Sequence, residues 1–70
     1  MDWQIISGSS WVRAIAYAEE SEQIFVEFLD GHQHVYGECP EEIWKDFSAP
    51  GTSLGRFING TLNYHPHGPA

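Results

Sequence analysis

The sequence predicts an α+β fold: a three-stranded antiparallel meander followed by two short helices. Three observations carry this. Apolar residues recur at period two from Trp11 to Tyr36, an Asp-Gly pair interrupts that pattern in its middle, and the period lengthens toward helical spacing after Pro40. At 70 residues the chain forms one domain, because a body this short buries only about 60% of its unfolded surface and cannot share that burial between two cores.

The first strand is read from Trp11 to Tyr17, with Trp11, Arg13, Ile15 and Tyr17 on one face and Val12, Ala14 and Ala16 on the other. An acidic turn, Ala18 to Glu22, leads into QIFVEFL, where Ile24, Val26 and Phe28 align opposite Phe25, Glu27 and Leu29. Asp30-Gly31 then reads as a two-residue hairpin turn of type I′, which needs the positive φ that aspartate and glycine tolerate. HQHVYG returns as the third strand, placing His32, His34 and Tyr36 on one side.

Pro40 suits the first turn of a helix, where its missing N–H has no partner to lose, and Glu41 and Glu42 favour the positive end of the helix dipole. Ile43, Trp44 and Phe47 recur on its inner face, and Pro50-Gly51 ends it. Thr52 or Ser53 caps a second helix running through Arg56, Phe57 and Ile58 toward Leu62. Gly55 and Gly60 each cost that helix about 1 kcal/mol relative to alanine, so it is expected to be short and irregular. The tail HPHGPA is expected to be loose.

Composition bounds the function. Three basic against ten acidic residues give a formal charge of −7, which disfavours long nucleic acid, since that binding draws on Lys and Arg neutralising phosphates. One small anion remains compatible, because a single arginine and a few backbone N–H groups can satisfy it locally. Cys39 is alone, so no internal disulfide exists. No apolar run approaches the roughly 20 residues of a membrane span, and Met1-Asp2-Trp3 lacks the features of a signal peptide; a cytoplasmic setting is expected. A hydrophobic content of 41% with three Trp, three Tyr and four Phe is rich for so small a body, and points to self-association.

The order Ser9-Ser10, Ile15-Ala16-Tyr17, Ile24-x-Val26-x-Phe28, Gly31, Tyr36, Pro40, Phe47, Ala49, Ser53-x-Gly55-x-Phe57-x-Asn59 and Tyr64 resembles the KTSC domain family. The resemblance spans residues 9–64, leaving 65–70 as tail. The family is named for the C-terminus of some lysyl-tRNA synthetases and also occurs as free-standing small proteins. It implies a meander followed by helices and suggests a role with RNA. Two positions depart from its pattern: one of the paired tyrosines on the third strand is His34, and the lysine after the serine is Leu54, so the RNA role transfers poorly.

Four constellations carry possible chemistry. Arg56 lies in the first turn of the second helix, between glycines that allow close approach, which suits a phosphate or carboxylate; the alternative is a surface arginine paired with one of the ten carboxylates. Trp11, Tyr17, Tyr36, Trp44, Phe57 and Tyr64 could stack a base, with most of them filling the core and Trp11, Tyr36 and Tyr64 reserved for a wet edge. His32 and His34 share a strand face and could grip a metal with Cys39 or a carboxylate, but their spacing matches no zinc signature and no metal is expected. Cys39 has Glu38 beside it, which raises a thiol pKa, and no nucleophile elbow is present, so no enzyme is expected.

The sequence therefore reads as a non-catalytic module, without a cofactor, that self-associates and holds a nucleotide-like ligand with Arg56, Trp11, His34, Tyr36, Phe57, Asn59 and Tyr64. Encoded by a phage, such a protein would act as a sink for a nucleotide signal of host immunity. The alternatives are an RNA- or tRNA-associated accessory module and a protein–protein adaptor.

Overall fold

The computed structural model describes residues 1–70. It contains β1 (Trp3–Ile5), β2 (Val12–Ala18), β3 (Gln23–Phe28), β4 (Gln33–Tyr36), α1 (Glu41–Ser48), α2 (Leu54–Gly60), a 3-10 turn (Leu62–Tyr64) and β5 (His67–Pro69). The sheet has five antiparallel strands in the order β1-β2-β3-β4-β5, so the predicted three-stranded meander is its centre and a short strand has been added at each edge. Both additions are three residues long, too short to display a period of two. The last of them overturns the expectation of a loose tail: His67 pairs with Tyr36, Gly68 with Val35 and Pro69 with His34, while Gly37 N–H donates to the Pro66 carbonyl at 2.7 Å. Proline is tolerated there because β5 is an edge, where a missing donor leaves no ladder broken.

The face assignment on β2 also changes. Val12 lies opposite Phe28 and Ala14 opposite Glu27, so Arg13 is the extra residue of a β-bulge. The bulge turns Val12 onto the same side as Ile15, and both are fully buried. Arg13, expelled from the ladder, donates to the Leu29 carbonyl at 2.9 Å and lies 3.6 Å from the Glu27 carboxylate.

The β3–β4 connection is a three-residue loop rather than a type I′ turn. Gly31 has φ +92° while Asp30 keeps a negative φ, Gly31 N–H donates to the Phe28 carbonyl and Phe28 N–H to that of His32. The Asp30 carboxylate accepts the His32 N–H at 3.0 Å, a local bond that favours turn over strand.

Pro40 stands just before α1, as its N-cap, with Glu41 and Glu42 in the first turn. The second helical segment is divided: α2 ends at Gly60, and Leu62–Tyr64 continues as the 3-10 turn. Both helices pack on one side of the sheet, where Phe47, Ile58 and Leu62 meet Val12, Ile15, Ile24, Val26, Tyr36 and Cys39. The opposite side carries no helix. There the register aligns Trp3, Ala16, Phe25, Val35 and Gly68 in one row across all five strands, with Trp3 and Phe25 edge to face at 6.5 Å.

Candidate functional site

The largest concavity is a cleft of about 420 Å³ between the loop joining β1 to β2 and the segment that opens α2. Its lining brings together two stretches far apart in sequence, Ile6–Trp11 and Thr52–Gly55. A second opening, of about 330 Å³, shares Ile6, Ser7, Thr52 and Leu54 with it and extends the groove beneath the turn that follows α1.

Local chemistry explains the loop. Gly8 adopts φ +84°, a left-handed conformation open to glycine, and the Ser9 hydroxyl accepts the N–H groups of Trp11 at 3.2 Å and Val12 at 3.0 Å. Trp11 is thereby fixed at the cleft wall, tilted against Phe28 with ring centroids 4.7 Å apart. Gly55 completes the contact: a Cβ placed there lies 3.6 Å from Trp11 Cε3, so α2 can sit close to the indole.

Five hydroxyl side chains belong to residues that line this space. Those of Ser9 and Thr52 are committed, the latter donating to the Asp46 carbonyl at 2.8 Å. The hydroxyls of Ser7, Ser10 and Ser53 make no hydrogen bond within the chain, and Ser53 occupies the N-cap position of α2 without a side-chain cap bond, contrary to expectation. The cleft thus combines the Trp11 ring, the apolar side chains of Ile6 and Leu54, and three serines whose hydroxyls make no hydrogen bond within the chain.

The seven residues read from the sequence do not form a single site. Trp11 lines the cleft. Arg56 lies one position beyond its lining, exposed and without an ion pair, so the reading in which it merely pairs with a carboxylate is not realised. Phe57 is half-buried against Phe47, with centroids 5.3 Å apart, and Asn59 accepts a bond from Asn63 at 3.3 Å. Tyr64 is 85% exposed. Tyr36, expected at a wet edge, is only 2% exposed and belongs to the core, because its position opposite Ile24 points it under the helices. His34 lies beside it on β4, and neither shares a lining residue with the cleft. The loop serines that line the cleft were not singled out from the sequence, although Ser9 and Ser10 are among the residues of the family pattern.

Histidine and cysteine chemistry is also resolved by geometry. His32 is held by Asp30, 2.9 Å away, and Cys39 is fully buried, so these residues do not assemble a metal site with His34. The Cys39 thiol lies 3.6 Å from His65 Nδ1, but that nitrogen is within 3.0 Å of the Glu38 carbonyl and 3.2 Å of the Gly37 carbonyl. A ring nitrogen facing two carbonyls carries the proton and cannot accept one from the thiol. Burial, followed by the carboxylates of Glu22 and Glu38, pushes the Cys39 pKa up.

An alkaline limb follows from these groups. Cys39 and Tyr36 are raised by burial, and Tyr17 by partial burial and the carboxylates of Glu22 and Glu41, from ordinary values of 9.0 for the thiol and 10.0 for the phenols. Each therefore holds its proton more tightly in the folded state. Their contribution is whole below the unfolded pKa values and is lost as pH rises through the folded ones. The urea midpoint is expected to fall between pH 8 and pH 10.5; a flat profile over that window contradicts the assignment.

The fold and site define a class, a five-stranded antiparallel sheet backed on one side by two short helices, with a hydroxyl-lined cleft at their junction. The sequence pattern of the KTSC domain matches residues 8–63, and the chain belongs to that family. Its fold is similar to that of a KTSC domain protein from Yersinia pestis, with a TM-score of 0.83 and 22% identity over 99% of this chain and 96% of the other. No curated protein matches the chain.

Proposed function

We propose that this KTSC domain is a non-catalytic binding module that holds a small nucleotide-like ligand in the cleft between Ile6–Trp11 and Thr52–Gly55. One observation carries the reading. Ser9-Ser10 and Ser53-x-Gly55, the two serine-containing parts of the family pattern, lie more than 40 positions apart in the sequence and form facing walls of one concavity. Trp11 offers an aromatic surface for a base, the free hydroxyls of Ser7, Ser10 and Ser53 offer donors to phosphate or ribose oxygens, and Arg56 next to Gly55 supplies the nearby cation in sequence. The formal charge of −7 supports a compact ligand over a polymer. Sequestration rather than conversion fits a site whose lining contains no His, Cys, Asp or Glu. A sink for a nucleotide signal is the biological form of this reading.

Self-association is its second element. The row Trp3, Ala16, Phe25 and Val35 lies on the side of the sheet away from the helices, with Ile5 75% exposed on the same face, so a second copy seated there leaves the cleft open.

Native mass spectrometry of protein purified from cells reports subunit number and retained ligand together. Calorimetry with ADP, ADP-ribose and cyclic dinucleotides then tests the ligand class. Arg56→Ala is expected to weaken binding of the phosphorylated ligand at least tenfold with the subunit number unchanged. No binding to any of these nucleotides removes the proposal, and unchanged affinity in the variant removes Arg56 from the site.

A further inference from the structure

We propose that His34 and His67 together form a chelating site for a divalent ion of tetragonal preference, copper(II) or nickel(II), independent of the cleft. The two residues lie on neighbouring strands in diagonal register, since His34 faces Pro69 and His67 faces Tyr36. Diagonal partners on one face of a sheet are within reach of long or aromatic side chains. Here the reach is complete: His34 Nε2 and His67 Nδ1 are 2.8 Å apart, with ring centroids at 5.0 Å.

That nitrogen separation is close to what two neighbouring coordination positions need. Two imidazole nitrogens bound at about 2.0–2.1 Å are roughly 2.8–3.0 Å apart when they occupy adjacent corners of a square, and roughly 3.3–3.4 Å apart on a tetrahedron. The observed spacing matches adjacent corners, the arrangement of Cu(II) and Ni(II), ions for which imidazole is a preferred ligand.

In the metal-free protein the same two nitrogens share one hydrogen bond. On binding, the ion takes the place of the bridging proton, which moves to the other nitrogen of its own ring, so both rings stay neutral. Each ring must tilt so that the two lone pairs meet off the line between them. His67 is exposed and can do so, while His34 is half-buried and braced by the Tyr36 ring at 5.1 Å. No third His, Cys, Asp or Glu joins the pair, so water completes the coordination and the site is open. The acidic chain as a whole draws cations toward its surface.

The test uses the intact chain. With one equivalent of Cu²⁺, electron paramagnetic resonance is expected to show a tetragonal spectrum with superhyperfine coupling to two imidazole nitrogens, and Ni²⁺ calorimetry one site per chain. His34→Gln and His67→Gln are each expected to lose at least tenfold in Ni²⁺ affinity and one coupled nitrogen, while His32→Gln stays within twofold of the parent. A measurement on the unaltered protein guards against a misfolded variant. Because the ion ties β4 to β5, Ni²⁺ should slow exchange of the Ala70 amide, which donates to the Gln33 carbonyl at 3.0 Å, by at least fivefold. Unchanged affinity in the two variants, coupling to a single nitrogen, an equal loss in His32→Gln, or unaltered Ala70 exchange overturns the proposal.

Discussion

Replacing Phe47 with alanine is expected to remove about 3–5 kcal/mol of stability, a large share of what so small a domain holds. Phe47 is the largest of the fully buried side chains and the point where α1 meets the rest of the core, its ring 5.3 Å from Phe57 and 6.3 Å from Trp44. A chain of this length holds roughly 4–10 kcal/mol in total, at about 0.05–0.15 kcal/mol per residue. The loss combines transfer of the ring to solvent with a cavity that the surrounding Ile15, Ile58 and Leu62 cannot fill without moving. Urea denaturation followed by tryptophan fluorescence measures it. A loss below about 1 kcal/mol would mean that α1 docks by other contacts.

The second large effect is on binding. Ser53→Glu places a carboxylate at the mouth of the cleft while removing no hydrogen bond, because the serine hydroxyl makes none. Stability is expected to stay within about 0.5 kcal/mol of the parent, as for surface substitutions generally. Affinity for a phosphorylated ligand is expected to drop at least 100-fold, since like charges meet where solvent is partly excluded. Calorimetry on parent and variant decides it, and equal affinities would place the phosphate elsewhere.

Much of this architecture is legible in the residues themselves. Period-two alternation locates the three central strands within one or two positions, and Pro40, Glu41 and Glu42 announce α1, because each signal arises from contacts local to its own element. What escapes local reading depends on partners distant in sequence. Neither β1 nor β5 is long enough to carry a period, and β5 contains the glycine and proline that ordinarily mark a loop; pairing with an existing strand is what orders them. The bulge at Arg13 leaves alternation intact on paper while exchanging the faces of the residues before it, so Val12, read on the face opposite Ile15, shares its side in the core.

The site shows the same division. Arg56, Gly55 and Trp11 stand out as residue types, yet the cleft exists only because the Ile6–Trp11 loop folds back against the start of α2. The aromatic set divided by burial: Tyr36 was drawn into the core by its register opposite Ile24, while Tyr64 remained in solvent. The His34 and His67 pair was invisible as a pair, since a tail expected to be loose supplies half of it.

The most direct measurement is a two-dimensional amide spectrum of the protein titrated with ADP, ADP-ribose and a cyclic dinucleotide. The ligand-binding reading requires saturable shifts concentrated at Gly8–Trp11 and Thr52–Arg56, with the Trp11 indole N–H among them. A spectrum unmoved by all three compounds, or shifts gathered on the helix-free side of the sheet, would contradict it.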